Sequence, residues 1–88
     1  MKTVRNMLTA AATLGYSFKV GTTTDVYYSG ASVNKAIDEL EEIDEGYITV
    51  VNERGYRCGS AYFMQDMPDD EQMQETGGWV NDWIDENM

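Results

Sequence analysis

The sequence predicts an α+β fold: an antiparallel sheet of about four strands, made of two hairpins, with helices covering one face in the order α-ββ-α-ββ-α. Apolar residues recur at three- and four-residue steps in three stretches, which is the spacing of amphipathic helices. Between them lie runs that alternate with period two, broken by turn-forming residues, as in β-hairpins. The whole chain, 88 residues with 42% apolar content, has room for one domain, 1–88, around a modest core.

The elements follow in order. Val4, Met7, Leu8, Ala11 and Leu14 mark a helix over residues 3–14, and Gly15 stands where a left-handed C-terminal cap belongs. "YSFKV" alternates Tyr16, Phe18 and Val20 on one side; "GTTTD" turns the chain and "VYYS" returns it, giving a hairpin over 16–29. Ser32 is a suitable N-cap for a second helix whose buried stripe is Val33, Ala36, Ile37, Leu40 and Ile43. Asp44 would fall on the apolar side, so the helix ends before it, and Gly46 closes the segment. In "YITVVNERGYRCGSAYFMQ" two β-rich runs flank "NERG", with Asn52 opening the turn and Gly55 supplying its bulge. "DMPDDEQMQETGG" reads as an acidic connection with one helical turn after Pro68. Trp79, Val80, Trp83 and Ile84 share one side of a last short helix. That shared side favours core packing over an exposed aromatic anchor. The expected core centres on Leu8, Phe18, Ile37, Leu40, Val50 and Trp83.

Charge is distributed very unevenly. Residues 1–35 carry four cations and Asp25, while everything after Arg57 contains no Lys or Arg. The net charge of −10 therefore belongs to the second part of the chain. Such a field repels nucleic acid and anionic membranes and attracts basic proteins. No apolar run is long enough to span a bilayer, the N-terminus has no signal-peptide pattern, and Cys58 is the only cysteine. A cytoplasmic protein in a reducing compartment is the expectation.

Most familiar site chemistries lack their residues. Without histidine there is no Ser-His-Asp triad and no common zinc set, and one cysteine cannot build a structural zinc site. Cys58 next to Gly59 reads as a small packed thiol. The glycines do not form a phosphate-cradling loop. The carboxylates of "DMPDDEQMQE" lack the alternating ligands and central glycine of an EF-hand, so a solvated loop is expected there. Tyr27, Tyr28, Tyr47, Tyr56, Tyr62 and Phe63 lie on the expected strands as a base-stacking platform would place them. Such platforms occupy basic grooves, however, and sheet packing is the better account. The expectation is a protein without enzyme activity, cofactor or metal.

What remains is the stretch "AIDELEEIDEG". Wound at about 100° per residue, it points Asp38, Glu42 and Glu45 away from the buried stripe, with Glu39 and Glu41 flanking it. Like charges one turn apart destabilise a helix by about 0.2–0.5 kcal/mol per pair, and their separation of about 5–6 Å approaches that of phosphates along a nucleic-acid strand. A solvated helix face is the plain alternative. Asp82 and Asp85 extend the acidic surface if the last helix lies alongside.

The layout resembles a loose group of small acidic proteins encoded by tailed bacteriophages. The matching pieces are "LGYSFKV", "AIDELEEIDEGYITV", "NERGYRCGS" and "WVNDWIDEN", which together span most of the chain. The resemblance implies phage origin and residence in the host cytoplasm. By analogy with small acidic phage inhibitors, among them anti-CRISPR and anti-restriction proteins, it implies a stoichiometric inhibitor. Its partner would be a basic, nucleic-acid-binding host protein, met through Asp38, Glu39, Glu41, Glu42, Glu45, Asp82 and Asp85. The alternative function is an acidic structural or regulatory interaction module without mimicry. Either is expected to be a monomer or weak homodimer that binds no nucleic acid directly and no membrane.

Overall fold

A computed structural model describes residues 1–88 as three helices and one five-stranded antiparallel sheet. Helix α1, Lys2–Thr13, forms where Val4, Met7, Leu8 and Ala11 make one continuous face, and all four are buried. It ends in a Schellman motif: Gly15 takes φ 82°, its N–H donates to the Ala12 carbonyl, and the Tyr16 N–H donates to Ala11. No side chain within α1 caps its start. Asp69, distant in sequence, does so instead. One carboxylate oxygen accepts from the Lys2 N–H, and the other accepts from the Thr3 N–H at 3.1 Å and the Thr3 hydroxyl at 2.7 Å.

Strands β1, Ser17–Gly21, and β2, Val26–Gly30, form the first hairpin. Helix α2, Val33–Glu41, starts under Ser32, whose side chain accepts from the Lys35 N–H, and it reaches its C-cap at Glu42. Strands β3, Glu45–Val51, and β4, Arg57–Met64, form the second hairpin. Asn52 organises its turn: its carbonyl accepts from Gly55 at 2.9 Å and its side chain accepts from Arg54 and Tyr56. After one 3-10 turn, Asp69–Glu71, the chain enters β5, Met73–Gly77, and then α3, Gly78–Asn87. The strand order is β2-β1-β3-β4-β5.

Two sequence expectations change. The acidic connection after β4 contains a fifth strand, so the order is α-ββ-α-βββ-α. β5 is an edge strand with no apolar alternation. Its pairing with β4 is broken by an irregularity, and Glu75 takes φ 47°. Gly46 does not close the α2 segment but lies buried inside β3, against Ile43 and the Gly21 backbone.

Alternation in the central strands decides what faces what. Phe18 and Val20, Ile48 and Val50, and Ala61 and Phe63 are buried on the helix side with Leu8, Ile37, Leu40 and Val80. Of the expected core, only Trp83 stays half-buried, at the rim with Trp79 and Ile84. Trp79 packs edge-on to Tyr16, ring centroids 5.7 Å apart. The intervening residues Lys19, Tyr47, Thr49, Ser60 and Tyr62 face the other way, onto a side of the sheet left open to solvent.

Two stability predictions follow from these contacts. A Cβ on Gly59 would lie 2.8 Å from the Val80 backbone nitrogen and 3.1 Å from its Cγ2. Gly59→Ala must therefore push α3 off the sheet, lowering Tm by roughly 5–20 °C in a thermal melt; an unchanged Tm would show that α3 is not docked this way. For Asp69, donation from the Thr3 hydroxyl, joined by the backbone N–H groups of Thr3 and Lys2, outweighs desolvation and holds the carboxyl at about 2. The folded value lies below the unfolded one. The cap's contribution is thus complete above the ordinary carboxylate range and disappears as pH falls through that range towards 2. Asp69→Asn should lower Tm at pH 7 and flatten the acid limb of the Tm–pH curve between about pH 4 and 2.

Candidate functional site: an acidic pole beside an open sheet face

The registers Gly21↔Tyr47, Glu45↔Met64 and Phe63↔Met73 bring the end of β1, the start of β3, the end of β4 and the start of β5 to one end of the sheet. α2 leads into β3, so its C-terminus lies there as well. Gln65 ties this end together. Its backbone N–H donates to the Asp44 carbonyl at 2.8 Å. With its amide nitrogen turned inward, its side chain donates to the carbonyls of Leu40 at 3.0 Å, Glu41 at 3.3 Å and Ile43. The Leu40 and Glu41 carbonyls are among those that the end of a helix leaves without intrahelical partners, and Ile43 lies just beyond α2. Behind it, buried Gln72 donates from Nε2 to the Gln65 carbonyl at 3.1 Å, and Met64 N–H donates to the Gln72 carbonyl at 2.9 Å.

α1 begins at the same end, capped by Asp69, and α3 finishes there: Asn87 and Met88 share a shallow depression with Thr3 and Asn6. The topology thus collects Glu41, Glu42, Asp44, Glu45, Asp66, Asp69, Asp70, Glu71, Asp85 and Glu86 at one pole of the molecule. Lys2 is the sole Lys or Arg in the segments that meet there, 1–3, 41–45, 64–73 and 84–88. Arg54 and Arg57 lie in and beside the turn at the opposite end of the sheet, and Lys35 is in the first turn of α2. None of the 16 acidic side chains forms an ion pair with Lys or Arg. The one ion pair joins the Met1 amine to Asp69 at 3.3 Å.

The expected acidic helix row is therefore corrected. Asp38, Glu41 and Glu42 are exposed and Glu39 is half-buried, but Glu45 is not helical. It opens β3 and faces the open side of the sheet, because the helix stops at Glu42 and the alternation that buries Gly46, Ile48 and Val50 turns Glu45 outward. Asp38 lies one turn back along α2, away from the pole. Asp82 and Asp85 are exposed, yet α3 does not run alongside α2. α3 packs on β4 and β5, α2 packs on β1 and β2, and α1 contacts α2 between them. Asp85 joins the pole only because α3 ends there. Asp44, Asp66, Asp69, Asp70, Glu71 and Glu86 belong to the pole and were not among the expected site residues. The acidic run after β4 is visible in the sequence, but its position depends on the pairing of β5.

Local electrostatics oppose this arrangement. α2 has no basic residue in its last turn, so Glu41 and Glu42 sit at the negative end of the helix dipole. Glu45 lies against Tyr62: acting as hydrogen-bond acceptor, its carboxylate is the largest cause pushing the Tyr62 hydroxyl up to about 12, with desolvation and the charge of Glu75 adding to it. The Cys58 thiol is half-buried and pushed up by burial and then by the charge of Glu53, which disfavours the thiolate. The carboxylates of 66–71 do not converge as a ligand set, and no helix is long and apolar enough to cross a membrane. No protein-family model, curated protein or solved structure matches the chain.

Two measurements check the electrostatics. Glu41→Gln combined with Glu42→Gln should raise Tm by roughly 2–6 °C at low salt, with the gain shrinking as salt is added; a lower Tm would mean that these carboxylates make stabilising contacts. In a phenol titration, Tyr62 should be the last tyrosine to ionise, and Glu45→Gln should bring its pKa down towards 10.

Proposed function

We propose that this protein is a non-enzymatic inhibitor of the bacteriophage type, which occupies a basic, nucleic-acid-binding surface of a host protein by mimicking nucleic-acid charge. The observation that carries the reading is the pole: carboxylates from α2, the start of β3, the loop after β4 and the last turn of α3 converge on one end of a small domain, and none of them pairs with Lys or Arg. A partner shaped for phosphates meets there a dense array of negative charge held by Gln65, Gln72 and the Asp69 cap. Charge complementarity of this kind speeds association and selects cationic partners. The resemblance to small acidic phage proteins supports the same class, with an anti-CRISPR or anti-restriction role as its specific form. The partner is a basic host enzyme or complex that normally holds DNA or RNA, met in the host cytoplasm by one copy of this chain.

A module that docks without mimicry is the alternative, and the uncovered sheet face favours it. Salt separates the two, because unscreened charge recognition weakens steeply with ionic strength and apolar docking does not. The parent chain, immobilised in a bacterial lysate, should retain a nucleic-acid-binding protein that is released by duplex DNA and by about 0.5 M salt. A variant with Glu41→Gln, Glu42→Gln, Asp44→Asn and Glu45→Gln should fold and lose that protein. Retention of the same partner by this variant, at the same salt, would overturn the mimicry reading.

A further inference from the structure

The open side of the sheet holds a feature that the pole does not require. Tyr47 and Tyr62 stand opposite each other on β3 and β4, ring centroids 5.2 Å apart and planes inclined by 53°. Tyr47 is 41% exposed, so the outer surface of the pair is accessible. A depression lies on either side of the two rings. The smaller, about 210 Å³, includes Thr22, Thr23 and Glu45, and Glu45 is its only charged group. The larger, about 490 Å³, extends from the tyrosines past Thr49 and Ser60 to Glu75 and Arg57. Arg57 stands opposite Val51, towards the other end of the sheet, and its Nη2 donates to Ser60 Oγ at 3.1 Å. Glu75 follows Gln74, the register partner of Tyr62. The ring pair is thus flanked by one carboxylate on each side.

We propose that the Tyr47–Tyr62 pair, between Glu45 and Glu75, is a receptor for one arginine side chain of a basic protein; this rests on the partner being cationic, as in the function proposed above. A cation is attracted to the electron-rich face of a phenol ring. A planar guanidinium can stack on such a face while donating in its own plane to a carboxylate, a combination that an ammonium matches less well. Glu45 contributes to both surfaces: it belongs to the pole and borders the tyrosines, so a basic segment lying on the pole reaches the pair without a gap. The same carboxylates oppose a nucleic-acid strand, whose phosphates would have to pass beside Glu45 and Glu75.

The test is an amide NMR titration of the full chain with acetyl-Gly-Arg-Gly-Arg-Gly-amide, alongside its lysine and aspartate analogues and a short oligothymidylate. Shifts should concentrate at residues 45–49, 60–62 and 75, with lysine weaker than arginine and no response to aspartate or oligothymidylate. Tyr47→Leu and Glu75→Gln should each weaken the arginine peptide by about tenfold, whereas Tyr62→Phe, which keeps the ring, should bind within about twofold of the parent. Shifts confined to 41–44 and 66–71, unaffected by Tyr47→Leu, would remove the receptor while leaving the acidic pole as a partner surface. A stronger response to oligothymidylate than to the arginine peptide would overturn the assignment in favour of base stacking. Tenfold weakening in the tyrosine and Glu75 variants, with lysate capture indifferent to Glu41→Gln, Glu42→Gln and Asp44→Asn together, would uphold the receptor and reject mimicry.

Discussion

Burying only one face of the sheet is the constraint on which the rest of this structure depends. In β1, β3 and β4 every second residue must be apolar or small, and slipping any strand by one residue would turn its buried set into solvent. Phe18, Val20, Ile48, Val50, Ala61 and Phe63 meet that demand, and Gly59 leaves space for α3 to touch the sheet backbone. The same alternation makes the opposite face polar and aromatic. It also fixes where the helices run. α2 leaves the end of β2 and must arrive at the start of β3, which lies on the far side of β1. Its C-terminus therefore comes to the end of the sheet where β4 finishes. The acidic pole is a consequence of topology and chain order, and no continuous acidic motif specifies it.

Where the sequence carried a strong period, it was sufficient. α1, both hairpins, the Ser32 cap, the end of α2 before Asp44 and the one-sided Trp79–Ile84 helix all follow from spacing and turn chemistry. β5 did not, because an edge strand with one partner needs neither alternation nor β-branched residues. "MQETG" is held by β4 and by its neighbours. Nor was the Asp69 cap legible, since nothing in "PDDE" says that α1 lies next to it. The misplaced Glu45 is different in kind. Helical winding was carried past Glu42, although stepping back in twos from Val50 through Ile48 to Gly46 already placed Glu45 on the open face of a strand.

Very little of the acidity serves the fold. The fourteen-residue core cluster contains no charged member. Asp69 works as a helix cap and Glu45 interacts with a tyrosine hydroxyl. The remaining carboxylates at the pole find no Lys or Arg partner, and those at the ends of α2 and α3 stand against the helix dipole. Folding would proceed as well, or better, with amides in their place. The fold itself therefore does not account for this charge.

Solubility is the simplest external reason, and magnitude and placement both bear on it. A small domain is kept soluble by a net charge of about 2–8, with both signs interspersed over its surface. This chain carries −10, and the pole holds ten of its acids with one Lys, Lys2, while Arg54 and Arg57 are near the far turn and Lys35 is at the start of α2. Solubility is served equally well by dispersed charge and gives no reason to gather it at one end. Recognition of a cationic surface does give such a reason, because closely spaced like charges act together on a partner within a Debye length, about 8 Å at physiological salt. Concentration of the carboxylates, more than their number, is what favours a binding role over a wetted surface.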